Sequence, residues 1–133
     1  MLDIKFNEFV PKGWGYEKII VNGPEYCGKI LHFVKGRSCS MHYHVRKTET
    51  FYVSFGEICV EYLYNNVLAD EILEESGEQG IFNACSTKIL CEGDHFHLEP
   101  GLVHKMTALR DSEIIEFSTT DYSDDSYRLI KGD

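Results

Sequence analysis

His42 and His44 stand two residues apart in the stretch MHYHVRKTETF, with Glu49 five residues beyond the second. Side chains two apart on a strand share a face, so both imidazoles can reach one ion. On the strand that follows, Glu49 is in phase with Phe51, Val53 and Phe55. Its carboxylate therefore points inward among apolar residues, where a bare charge is costly and a metal ion would remove the cost. A second source of imidazole lies in GDHFHLEPGLVH, where Gly93 and Asp94 start a strand, Pro100 and Gly101 turn it, and His104 opens the next. Three imidazoles and one carboxylate leave one or two positions open on a five-coordinate or octahedral divalent ion, as catalytic metal sites do and closed structural sites do not. A lone histidine on a strand is more often hydrogen-bonded in the core or on the surface than a ligand, and His32 is read that way. His95 and His97 are also two apart, but Phe96 and Leu98 claim the inner face of that strand and send both histidines outward.

The elements that must position these residues are strands. Apolar residues recur with period two nearly throughout, separated by turn residues. KILHFVKG reads as a strand closed by Gly36, and SCSMHYHV alternates next. TETFYVSFGEICVEYLY reads as a hairpin whose arms meet at Phe55, Gly56 and Glu57. Residues 67–81, VLADEILEESGEQGI, are acidic and lack a clear period; a short helix, an irregular hairpin and a mobile excursion all fit. The stretch from Thr87 to Thr119 supplies about three further strands, and the polar end TDYSDDSYRLIKGD is either a fold-back segment or a frayed tail.

At 133 residues the chain is expected to form one domain, residues 1–133. A net charge of −9 and the lack of any basic stripe argue against nucleic acid as a partner. No apolar window approaches the length of a membrane span and the N-terminus has no leader pattern, so the expected location is cytoplasmic. The cysteines, Cys27, Cys39, Cys59, Cys85 and Cys91, are odd in number and form no CxxC, and are read as reduced fillers of the core.

Gly36, five residues, His42, one, His44, four, Glu49, six, Gly56 resembles the first motif of the cupin superfamily in full, and Gly93 through Gly101 to His104 is similar to the second. Glu99 stands where the second motif usually has proline and Ala108 where it often has asparagine; neither position is a ligand in the family. The resemblance implies an all-β fold, a double-stranded β-helix or jelly-roll barrel, with a divalent transition metal (zinc, manganese, iron, cobalt or nickel) held by His42, His44, Glu49 and His104. The stretch between Gly56 and Gly93 is then the variable inter-motif segment.

KGWGYEKI at residues 12–19, with Gly13 in place of the usual proline, resembles the opening of the cupin domain in type II phosphomannose isomerases and related sugar isomerases. That likeness implies aldose–ketose interconversion on a sugar or sugar phosphate, with the ion acting as Lewis acid. Trp14 is read with equal weight as part of that signature and as a hydrophobic plug at one barrel end. Lys47, Lys105, Arg110 and Arg128 are the cations available for a phosphate or a developing oxyanion, and Arg128 matches an arginine near the end of the isomerase domain. The plainer reading of Arg128 is a surface residue paired with Asp124 or Asp125. A sugar-binding cupin without turnover and an iron-dependent dioxygenase are the competing classes. Small cupins are commonly dimers, and strands rich in Phe, Tyr and Ile point to a homodimer.

Overall fold

The computed structural model describes residues 3–133. In chain order the elements are β1 (Lys5–Lys12), β2 (Gly15–Asn22), β3 (Cys27–Phe33), β4 (Met41–Tyr43), β5 (Glu49–Phe55), β6 (Glu57–Leu63), α1 (Asn66–Ala84), β7 (Ser86–Cys91), β8 (His95–Leu98), β9 (Val103–Ala108), β10 (Ser112–Ser118) and β11 (Tyr127–Ile130). They form a six-stranded sheet, β1-β2-β3-β10-β5-β8, and a five-stranded sheet, β11-β4-β9-β6-β7, both antiparallel. This is the expected jelly roll, with one helix added. No helix among the described residues is long and apolar enough to cross a membrane.

Period-two alternation builds the core. In β3 the inward residues Cys27, Lys29, Leu31 and Phe33 are buried while those between them are half-exposed. Leu31, Phe33, Phe51, Val53 and Ile114 from the first sheet meet Ile58, Val60, Leu90, Met106 and Ala108 from the second. Trp14 joins this cluster, stacking on Phe33 with ring centroids 4.2 Å apart.

The segment from Glu49 to Leu63 is not a hairpin. β5 pairs with β10 and β8, whereas β6 pairs with β7 and β9, so Gly56 is a corner between sheets. Its φ is +99°, and a Cβ at this position would lie only 2.1 Å from the Ser112 hydroxyl; both require glycine. Alternation alone cannot tell a hairpin from a sheet change, because both reverse the chain at a glycine. The stretch from Thr87 to Thr119 holds or borders four strands, β7 to β10, one more than expected.

Residues 67–81 fall within α1, which is capped by Asn65, whose side-chain oxygen accepts from the amides of Val67 and Leu68. Ala69, Ile72 and Leu73 share one face, and Ile81, Phe82 and Cys85 share another beyond a kink at Gly77. The kink breaks the phase between the two apolar sets, which is why no single period shows. Both cover Met41, Tyr43 and Val103 on the outer face of the second sheet. The C-terminal segment folds back: β11 pairs with β4, and Gly132 lies so close to Cys39 that a Cβ would come within 2.3 Å of its carbonyl carbon.

Candidate metal centre

β4 and β9 are neighbours in register at His42 and His104, which brings those rings to a centroid distance of 4.4 Å. His44 follows at 5.2 Å from His42 and 6.0 Å from His104. Each Nδ1 meets a backbone carbonyl: Ser40 at 2.8 Å from His42, Asp125 at 2.6 Å from His44, Leu102 at 3.0 Å from His104. A carbonyl only accepts, so each Nδ1 carries a hydrogen, which leaves Nε2 as the atom available to ligate. Burial, reinforced by the neighbouring imidazoles, drives the His42 pKa well down. Burial likewise lowers that of His104 to about 3.

Glu49 enters from β5 and is buried. Its Oε2 lies 3.6 Å from Nε2 of His44 and 3.7 Å from Nε2 of His104. It is the one buried side-chain oxygen or nitrogen among the described residues that has no hydrogen-bond partner. Ligand atoms of the three histidines lie within 4.8 Å of one another, so the residues can hold a metal ion.

Buried ion pairs flank the four residues. Lys29 Nζ meets Glu17 at 2.8 Å and Asp121 at 2.7 Å. Lys47 Nζ meets Glu116 at 2.8 Å, Glu49 Oε1 at 3.1 Å and Asp121 at 3.3 Å. Burial opposes the Lys47 ammonium, but Glu116, Glu49 and Asp121 outweigh it and raise its pKa. Burial would also raise the Asp121 pKa, yet Lys47 and Lys29 bring it down to about 2. Lys29 and Lys47 are thus matched by Glu17, Glu49, Glu116 and Asp121, while the rest of the cavity lining adds Lys12, Arg128, Lys131 and Asp133. These groups line a cavity of about 360 Å³ whose apolar walls include Trp14, Phe33, Phe51 and Met106.

The fold clusters His42, His44 and His104 and sets Glu49 beside His44 and His104, while His95 and His97 point outward. Arg128 pairs in register with His42 on β11 and lines the cavity at its exposed rim. It has no ion pair among the described residues, because Asp124 pairs with Arg46 and Asp125 takes the amides of Val45, Arg46 and Lys47. The structure corrects the expectation for the other cations. Lys105 lies on the outer face over Phe82, and Arg110 sits in the turn beyond the far end of β9, outside the cavity lining. Lys47 is buried and already surrounded by carboxylates, so it cannot serve as a free phosphate cation. The cysteines are all free, but only Cys27 and Cys39 are fully buried; Cys91 is exposed.

Glu17, Lys29, Glu116, Asp121 and Asp125 also build the site, and sequence reasoning missed them. Lys29 and Glu116 had a signal: they are in phase with Leu31 and Ile114 on inward faces. Asp125 had none, since its partners lie 78 to 81 residues away.

The family described as cupin matches residues 29–130. No curated protein matches the chain in sequence. The structure is similar to that of KdgF from Halomonas sp., with a TM-score of 0.65 and 21% identity over 88% of this chain and 89% of that one. It is similar to an RmlC-like cupin from Shewanella frigidimarina, with a TM-score of 0.65 and 21% identity over 89% and 87%. Oxalate decarboxylase from Bacillus subtilis matches with a TM-score of 0.68 and 16% identity over 92% of this chain but 30% of its own. At these identities the likeness is one of fold.

Proposed function

The chain belongs to the cupin family, and from that premise we propose that it is a metal-dependent isomerase interconverting the aldose and ketose forms of a sugar or sugar phosphate. The observation that carries the metal part is the partnerless Glu49 Oε2 facing the Nε2 atoms of His44 and His104. His42, His44, Glu49 and His104 are the proposed ligands. A divalent transition ion bound there would supply Lewis acidity toward the substrate's carbonyl and neighbouring hydroxyl.

The protein's own groups account for the rest of the site. The ammonium of Lys29 has three hydrogens and two carboxylate partners, which leaves one hydrogen for a substrate hydroxyl. Arg128 at the rim offers a planar fork to a phosphate or a developing oxyanion, and this is the role assigned to it. Trp14 and Phe33 give the cavity an apolar wall against which the carbon face of a sugar can lie. The same reading takes the protein as a homodimer. The outer face of the six-stranded sheet leaves Ile20, Tyr52 and Phe117 exposed, an apolar surface of the kind a second copy covers.

The test is elemental analysis of the purified protein beside Glu49→Gln and His104→Ala, followed by aldose assays on the metal-loaded protein. About one equivalent of a transition metal, lost in both variants, with ketose formed from an aldose, is the expected result. Metal without turnover would make the protein a sugar-binding cupin, iron with oxygen uptake would make it a dioxygenase, and no metal after reconstitution would overturn the reading.

A further inference from the structure

Lys47 is more buried than its place in a polar crossing requires, with 4% of its surface exposed. Three carboxylate oxygens, from Glu116, Glu49 and Asp121, lie within 3.3 Å of its Nζ. That is as many acceptors as an ammonium has hydrogens, so none is left for a substrate. Its backbone is held as well, since the Lys47 amide donates to Asp125 Oδ2. The residue is therefore fixed at both ends.

What it fixes is one half of Glu49. Oε1 lies against Lys47, while Oε2 alone faces His44 and His104. A carboxylate can bind a cation through one oxygen or both. An oxygen already ion-paired to a buried ammonium must leave that partner to join a second cation, and the ammonium would then be left with one carboxylate fewer in a site shielded from water. On the reading that these residues hold a divalent cation, we infer that Lys47 is a positioning residue that confines Glu49 to a single ligating oxygen, Oε2. Positions around the ion then stay open for a substrate with two adjacent oxygens.

Infrared difference spectra on adding cobalt(II) to the wild-type protein, with isotope-labelled glutamate, test this without a variant. Binding through one oxygen widens the gap between the two carboxylate stretches and is the expected result, whereas binding through both narrows it and overturns the inference. Failure to take up cobalt at all would instead overturn the metal reading on which the inference rests. In Lys47→Met loaded with one equivalent of cobalt(II), the visible absorption should fall several-fold as Glu49 closes onto the ion with both oxygens. Unchanged absorption in Lys47→Met at full occupancy would mean that the ion-pair network only supports the fold.

Discussion

Asp125 carries no ligand atom, yet its loss should be felt by His44. Its carboxylate accepts the amides of Val45, Arg46 and Lys47, and its carbonyl holds the His44 Nδ1. Asp125→Ala leaves three amides unpaired beside a buried residue, a loss of roughly 3 kcal/mol in stability. Chemical denaturation measures it, and metal affinity should fall with it because the carboxylate no longer fixes the loop whose backbone carbonyl, retained in the variant, holds the ring of His44. Asp121 gives the pH signature. Its pKa in the folded protein is about 2, below the ordinary 3.8, so the unfolded chain takes up this proton first on acidification. The stabilisation is complete above about pH 4 and is lost as pH falls toward 2. Thermal midpoints measured across that range should fall less steeply for Asp121→Asn than for the wild type. At this scale the proposed ligands were legible, because spacing and phase act locally. The lysine network was half legible from phase, and Asp125 was not, because nothing near it in the chain marks what it holds.

Among the elements, the corner at Gly56 is the most exacting. A Cβ would strike the Ser112 hydroxyl, which is itself fixed by accepting the Glu57 amide and donating to the Arg110 carbonyl. Gly56→Ala should cost about 2 kcal/mol from backbone strain alone, and more from the clash, measurable as a lower denaturation midpoint. β1, β2 and β11 were not read as strands, whereas most strands from β3 to β10 were legible from alternation, with the turns at Gly36 and Gly101. Their partners were not, because strand pairing is decided by which apolar faces can close on each other across the whole chain. The helix was hidden for a different reason, since its kink at Gly77 divides one apolar face into two short ones.

At the scale of the whole molecule, the proposed homodimer makes a mass prediction. Light scattering should give twice the 15.3 kDa of one chain, and Phe117→Lys, which puts a charge on the exposed sheet face, should shift it toward the single-chain value. Circular dichroism should show the fold unchanged, because Phe117 points away from the core. The fold-back of the C-terminal segment has a consequence for how the protein is made. His42 and His44 leave the ribosome long before Asp125 and β11, the residues that hold His44 and flank His42 in the finished sheet. A nascent chain that has already closed β2 on β3 still lacks its last wall. The site is therefore complete only after synthesis has passed residue 130.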